Sequence, residues 1–148
     1  MSLKQQLQQD LKEALRDRDE KRKSVIRMAL AAILNAEVEQ GGELDNADVV
    51  AALRKEAKQR RETIAELREA DRPEALVQEE MELAILEEYL PRLLSREEIA
   101  EEARQVIAQV GATGMRQIGP VMGQLMPKLK GRADGRVVNE IVRELLSG

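Results

Sequence analysis

One short run of the sequence gathers positive charge around glycine. Between residues 119 and 136, four cationic side chains surround Gly131, namely Lys128, Lys130, Arg132 and Arg136. Cationic side chains pair with phosphate, and a flanking glycine leaves the backbone accessible, so this combination favours binding to a nucleic-acid backbone. Residues 115–136 carry five basic side chains and one acidic one, whereas the formal net charge of the whole chain is −4. The sequence therefore predicts a local cationic patch on an acidic protein, which favours selective contact over bulk adhesion.

The same run predicts a helix face with few side chains. Gly119 and Gly123 stand one helical turn apart, with Met122 beside them, so another backbone could approach this face closely. Pro120 and Pro127 interrupt backbone hydrogen bonding, which predicts a helix that is short or kinked. We therefore predict Gly119, Met122 and Gly123 as a close-approach face next to the cationic patch.

A purely structural interpretation also fits part of this pattern. Gly131 is typical of the residue that ends a helix in the left-handed conformation, and Asp134 is typical of the N-cap of the next helix. Lysines near a helix C-terminus also complement the helix dipole. From the residue pattern alone, both interpretations remain open.

Catalytic chemistry finds little support in the sequence. The chain has no histidine and no cysteine, so it lacks an imidazole acid–base group, a thiolate nucleophile and the usual zinc ligands. Of its four serines, Ser2 and Ser95 stand where helix caps are expected. There is no Walker loop and no dinucleotide-binding glycine fingerprint. We predict no independent catalysis, no cofactor and no metal site.

Apolar periodicity predicts an all-α fold. The chain is 43% hydrophobic but only 1% aromatic, so the core must be aliphatic, and no segment alternates as a strand would. We predict a four-helix N-terminal domain over residues 1–94, a hinge at Pro91, and a C-terminal domain of three or four helices over residues 95–148. Capping residues predict where helices begin: Ser2, Asp19, Asp45, Asp71 (before Pro73), Ser95 and Asp134.

Two features of the N-terminal helices suggest contacts. Arg60 falls in the apolar stripe of the third helix, where it must either extend past the core to solvent or meet a carboxylate across an interface. We favour pairing with a glutamate of the fourth helix, with ligand contact as a secondary role. The fourth helix has two apolar stripes. One consists of Leu76, Leu83 and Leu90 with Leu86 at its edge, and the other consists of Val77, Met81, Ala84 and Ile85. A two-sided helix is usually sandwiched, between other helices or against a second subunit.

The sequence shows no membrane or export signal. No apolar run approaches the roughly 20 residues that span a bilayer, and the N-terminus lacks the apolar region of a secretory leader. The absence of cysteine gives no sign of an oxidising compartment. We expect a cytoplasmic protein.

Several segments resemble a known family. The run from Val121 to Gly135, followed by Val138-Asn139-Glu140, resembles the tail signature of the GatB/YqeY family. That family includes stand-alone YqeY-like proteins and the C-terminal tail of the B subunit of the aspartyl/glutamyl-tRNA amidotransferase. The resemblance to stand-alone members extends over nearly the whole chain through three further segments: Ile26-Arg27-Met28, Lys58-Gln59-Arg60-Arg61 and Glu88-Tyr89-Leu90-Pro91. Pro120 departs from the family pattern, which usually has a polar or charged residue there.

The resemblance implies a function in tRNA amidation. In the amidotransferase, a carbon–nitrogen ligase that uses glutamine as nitrogen donor, the tail domain contacts tRNA and other parts transfer the amide. The chain is thus expected to be a tRNA-binding accessory protein, with tRNA synthetase or amidotransferase components as further partners. Tyr89 is its only aromatic residue, so recognition should rest on phosphates, 2′-hydroxyls and shape rather than base stacking. The alternative is a helical protein–protein adaptor that does not bind RNA.

Overall fold

The computed structural model describes every residue from Met1 to Gly148 and contains helices but no strands, so the all-α prediction is confirmed. A 3₁₀ turn, Met115–Gln117, precedes the sixth helix. The seven helices are α1 (Leu3–Asp17), α2 (Glu20–Gln40), α3 (Asn46–Glu69), α4 (Pro73–Glu87), α5 (Arg96–Val110), α6 (Ile118–Leu129) and α7 (Gly135–Ser147).

The chain divides into two compact units, an N-terminal unit, Met1–Pro91, and a C-terminal unit, Arg92–Gly148. Helices α1 to α4 form the N-terminal unit around an aliphatic core, and α5 to α7 form the C-terminal unit around another. The fully buried large side chains of the first core are Leu7, Val25, Ile26, Ile33, Val49, Leu53 and Leu86. Those of the second are Ile99, Val106, Val121, Leu125 and Leu129.

Side-chain caps begin five helices where the sequence predicts them. Ser2, Asp19, Asp45 and Ser95 each accept a hydrogen bond from the backbone N–H three residues later, and Asp134 accepts one from the N–H two residues later. At Ser2 and Ser95, the side chain of the third helical residue also reaches back, which completes a capping box. Local chemistry therefore sets these helix starts.

The predicted cap at Asp71 is wrong. Asp71 has φ of 51° and belongs to the end of α3, where the Arg72 N–H donates to the Leu67 carbonyl. An N-cap residue typically has an extended backbone, so Asp71 in the left-handed conformation closes α3 and does not cap α4. Arg72 occupies the N-cap position of α4 without a side-chain cap, and Pro73 begins the helix. Proline suits that position because its missing N–H would have had no helical partner.

Helix α4 leaves part of one apolar stripe exposed. It contacts α3 and α2, and it buries Leu86 and Glu82 against them. In the second stripe, Ile85 packs against the core of the N-terminal unit, whereas Val77 is 55% exposed and Met81 is 43% exposed. The predicted sandwich between helices of the chain therefore forms at Ile85 but not at Val77 and Met81.

The segment before α5 is part of the C-terminal unit. Leu94 packs against the core of this unit, and its N–H donates to the carbonyl of Arg132 at 2.8 Å. Arg92 pairs with Glu98 at 2.8 Å, and together with the Ser95 N–H it lowers the pKa of Glu98 to about 2. The unit thus begins at Arg92, three residues before the predicted domain boundary at Ser95.

We expect the C-terminal unit to fold alone, and to do so better from Arg92 than from Ser95. A fragment of residues 92–148 keeps the Leu94 contacts, whereas residues 95–148 lose a core side chain and the bond to Arg132. The longer fragment should show a cooperative helical melt in circular dichroism and the shorter one a lower melting temperature. Two disordered fragments would contradict independent folding, and equal melting temperatures would contradict the role of Leu94.

Candidate nucleic-acid interface

Helix α6 exposes a face without charged side chains. Its buried side carries Val121, Leu125 and Leu129. At 100° per residue, the exposed residues of the other side fall within a sector of about 140°. They are Gly119, Pro120, Gly123, Gln124 and Pro127, and we call them the bare face. Nothing beyond the backbone of α6 itself lies within 4 Å of where a Cβ would stand at Gly119 or Gly123, so the bare face is open to a partner.

The two prolines are placed where α6 tolerates them. Pro120 lies in the first turn, where its missing N–H needs no partner, so the helix is unbroken from Ile118 to Leu129. Pro127 lies near the end, and because it has no N–H, the Gly123 carbonyl oxygen receives no hydrogen bond from that position. Each helical glycine costs about 1 kcal/mol relative to alanine, and packing within the chain does not require either one.

Met122 does not belong to the bare face, although the sequence predicted it there. Its side chain is partly buried and packs against the core of the C-terminal unit. The reason is helical geometry, since Met122 points about 100° away from Gly123. The bare face instead includes Pro120, Gln124 and Pro127, which the sequence interpretation missed and which a helical wheel of α6 would have shown.

Gly131 is a buried residue of the loop between α6 and α7. It has φ of 74°, a conformation that favours glycine, and it follows the last residues of α6. The N–H groups of Arg132 and Ala133 both donate to the Leu129 carbonyl, at 2.9 and 3.1 Å, which closes the helix end. The structure therefore places Gly131 in the helix-ending role, and burial removes it from the predicted contact surface.

The other four predicted residues are all exposed cations. Lys128, Arg132 and Arg136 make no salt bridge. Glu140, four residues after Arg136 on α7, binds Arg96 at 3.3 Å instead. The remaining salt bridges of the C-terminal unit also involve other arginines, namely Arg92, Arg96 and Arg104. We call Lys128, Lys130, Arg132 and Arg136 the cationic loop. Most of its charge therefore faces solvent without a salt bridge, although Asp134 lies in the same loop.

Helix dipoles explain only part of this charge. Lys128 lies in the last turn of α6, where a cation stabilises the helix. Arg136 lies in the first turn of α7, where no acidic residue is present and where a cation is unfavourable. The Asp134 cap offsets this only in part, so Arg136 has no stabilising structural role that would account for it.

The family of the chain follows from a match over almost its full length. The family described as "Yqey-like protein" matches residues 4–146. This chain belongs to the Yqey-like protein family. The resemblance inferred from the tail signature is thus confirmed.

Two kinds of curated proteins resemble this Yqey-like chain. It is 29% identical over 143 residues to "Altered inheritance of mitochondria protein 41, mitochondrial" of Pyrenophora tritici-repentis, covering 95% of this chain and 78% of that protein. It is 40% identical over 96 residues to the E subunit of the glutamyl-tRNA(Gln) amidotransferase of Aeropyrum pernix, covering 58% of this chain and 14% of that protein. The E subunit of Thermococcus sibiricus is 43% identical over 74 residues, covering 47% of this chain and 12% of that protein.

The matches to the E subunits are longer than the C-terminal unit alone. The Yqey-like chain spans only about an eighth of each amidotransferase E subunit, so most of that protein has no counterpart here. The matched part is nevertheless longer than the C-terminal unit, Arg92–Gly148. The likeness to the E subunit therefore includes residues of the N-terminal unit as well.

Arg60 lies inside the N-terminal unit rather than at an interface. It is 6% exposed, and its Nη1 donates to Glu82 Oε2 at 2.6 Å and to Glu79 Oε2 at 3.3 Å. Its Nη2 lies 3.0 Å from the sulfur of Met28. The structure thus shows the favoured pairing with the fourth helix, and burial makes Arg60 unavailable as a surface contact for RNA.

Neither a cluster of acidic ligands nor a membrane-spanning helix is found in the structure. No group of three or more aspartate or glutamate side chains is arranged to hold a metal ion. No helix combines the length and the apolar character that crossing a bilayer requires.

Proposed function

We propose that this Yqey-like protein binds tRNA through the cationic loop and the bare face of α6, as an accessory to glutamine-dependent tRNA amidation. The observation that carries the proposal is the exposed charge of Lys128, Arg132 and Arg136, none of which forms a salt bridge. A phosphate backbone supplies the missing negative charge. The similarity to the E subunit of the glutamyl-tRNA(Gln) amidotransferase supports tRNA as the polyanion.

The two surfaces would contribute different contacts. The cations of the loop pair with phosphates, and the side chain of Arg132 suits bidentate contact. The bare face lets a sugar–phosphate backbone approach the α6 backbone, and the Gly123 carbonyl, which lacks the helical hydrogen bond from Pro127, can accept one from a 2′-hydroxyl. Such contacts read the shape of RNA rather than its bases, in keeping with a chain whose one aromatic residue is Tyr89.

The proposal gives the chain a binding role and leaves amide transfer to another protein. The chain corresponds to about an eighth of the amidotransferase E subunit and contains neither histidine nor cysteine. A bound tRNA would then be presented to the components of an amidotransferase or to a tRNA synthetase, which are the further partners of this proposal.

A second candidate function is a protein–protein adaptor. The exposed apolar stripe of α4, with Val77 and Met81, is the observation that favours it. A pull-down with the full chain after nuclease treatment separates the two functions. Recovery of tRNA before treatment supports the first, and a protein retained at defined stoichiometry after treatment supports the second.

Removing charge from the cationic loop should flatten the salt dependence of tRNA binding. Each phosphate contact contributes about −0.7 to −0.9 to the slope of log K against log salt. The triple variant Lys128→Gln, Lys130→Gln and Arg132→Gln should therefore flatten the slope by about two units and weaken binding about 100-fold at 0.1 M salt. Fluorescence anisotropy with labelled tRNA at several salt concentrations measures both quantities.

Two further variants complete this experiment. A matched control changes Lys12, Arg16 and Arg27 to Gln, because these exposed cations lie on α1 and α2 and make no salt bridge; its slope should stay that of the parent. A Cβ at Gly123 meets no other part of the chain, so Gly123→Leu fills the bare face and should weaken binding while the slope holds and the melting temperature holds or rises. A loop variant with the parent's slope would show that the loop is only a helix connection.

A further inference from the structure

The outer face of α3 concentrates positive charge within the acidic N-terminal part of the chain. Residues 54–61 contain five cations and one acid, Glu56, although residues 1–94 carry 16 basic and 21 acidic side chains. Arg60 turns inward to Glu82, so it does not contribute to the surface. The other four cations lie outward, and at 100° per residue they occupy a sector of about 120° that excludes Glu56. They are Arg54, Lys55, Lys58 and Arg61.

The members of this face are weakly neutralised. Lys55 and Lys58 are exposed and make no salt bridge, and we call Lys55, Lys58 and Arg61 the α3 stripe. Arg61 reaches Glu87 at 3.2 Å, but both side chains are about half exposed, and such pairs contribute little. Arg54 donates to the Pro91 carbonyl, and burial together with repulsion from Arg61 lowers its pKa. The like charges of this face are therefore close enough to repel each other.

Helix stability does not account for the α3 stripe. Lys55, Lys58 and Arg61 follow one another at three-residue spacing, so each lies next to a like charge on the helix surface, which destabilises a helix. The acid four residues after Lys58 is Glu62, and a lysine that precedes its glutamate is the less favourable order. A solvated structural face would instead pair its charges with acids, as Arg68 does with Glu80 further along the hairpin.

We propose that the α3 stripe is a second phosphate-binding surface for the same RNA. This inference rests on the proposed function and deepens it, because it assigns part of the binding to the N-terminal unit. The stripe extends about 9 Å along the helix at 1.5 Å per residue, enough to follow two or three nucleotides of one strand. No large apolar residue interrupts it, so it lacks the mixed character of a membrane-binding or helix-binding face.

The decisive variant removes the two unpaired charges of the stripe from the full chain. In Lys55→Gln with Lys58→Gln, the slope of log K against log salt for labelled tRNA should flatten by about 1.5 units, with affinity about 30-fold lower at 0.1 M salt. The melting temperature should hold or rise, because glutamine keeps the helix propensity and relieves repulsion. The matched control, Lys12→Gln with Arg16→Gln, changes net charge equally on α1 and should keep the parent's slope.

The outcomes separate the two proposals. A parent chain that binds no RNA at any salt concentration overturns the proposed function and this inference with it. If the cationic-loop variant loses binding while the stripe variant keeps the parent's slope, the α3 stripe is a solvated helix face and this inference alone is wrong. If both variants flatten the slope, a variant that combines all five substitutions should show the sum of the two slope changes, as expected for contacts on separate units.

Discussion

Replacing Arg60 with methionine should lower the free energy of unfolding by about 3–5 kcal/mol, because it removes one partner of a buried ion pair. Glu82 is 9% exposed and receives its shortest hydrogen bond, 2.6 Å, from Arg60. Only a 3.3 Å bond from Gln78 would remain to this carboxylate. Methionine fits the aliphatic surroundings of the site, so the loss would come from the stranded charge. Urea unfolding followed by circular dichroism measures the change.

Two companion variants test that reason. Arg60→Met combined with Glu82→Leu should recover most of the lost stability, since a buried pair can be replaced by apolar side chains at little net cost. Arg61→Met, which breaks the half-exposed pair with Glu87, should lower the free energy of unfolding by less than about 1 kcal/mol. Equal effects of Arg60→Met and Arg61→Met would show that the inner pair is not buried in solution.

The sequence locates Arg60 well because helical periodicity is a local property. Its place in the apolar stripe of α3 follows from residue spacing, and the need for a carboxylate follows from burial. The choice of Glu82 and Glu79 among the glutamates of α4 does not follow, because it depends on how α3 and α4 pack. Sequence therefore predicts the kind of contact, and the tertiary arrangement selects the partner.

The helix ends show the same division. Ser2 and Ser95 are confirmed as caps because a capping box involves residues three apart and needs nothing from the rest of the fold. The predicted cap at Asp71 is wrong because the end of α3 and the start of α4 lie within three residues of each other. Asp71 belongs to the end of α3, where it adopts the left-handed conformation. A cap preference cannot decide which of two neighbouring helices uses the residue.

The candidate interface was predictable in composition but not in detail. The exposed cations of the loop follow from the sequence, whereas the burial of Gly131 depends on how the loop packs against the C-terminal core. The α3 stripe could have been predicted from the sequence, because a helical wheel places Lys55, Lys58 and Arg61 on a different side of α3 from Glu56. The overall acidic charge of the N-terminal part concealed it, because a net charge averages over opposite faces of one helix.

Two positions one turn apart on α4 should respond differently to the same substitution. Ile85 packs against the core of the N-terminal unit, so Ile85→Glu should lower the free energy of unfolding by about 2–4 kcal/mol through lost burial and a desolvated charge. Met81 is 43% exposed, and its sulfur lies 3.1 Å from the Lys21 ammonium. The glutamate of Met81→Glu can pair with that lysine, so the free energy of unfolding of this variant should stay within about 0.5 kcal/mol of the parent value.

Sedimentation of Met81→Glu then decides whether the exposed stripe of α4 joins two copies of the chain. If Val77 and Met81 form a seam between copies, a glutamate in its centre places two like charges in an apolar contact, and the measured mass should fall to that of a monomer. Val77→Glu, one turn away on the same face, should give the same result. An unchanged mass with an unchanged melt would mean that the stripe is solvent-exposed in the free protein, which leaves it to a different partner. A melt as low as that of Ile85→Glu would contradict the exposed position of Met81, because only a buried methionine makes a charged replacement so costly.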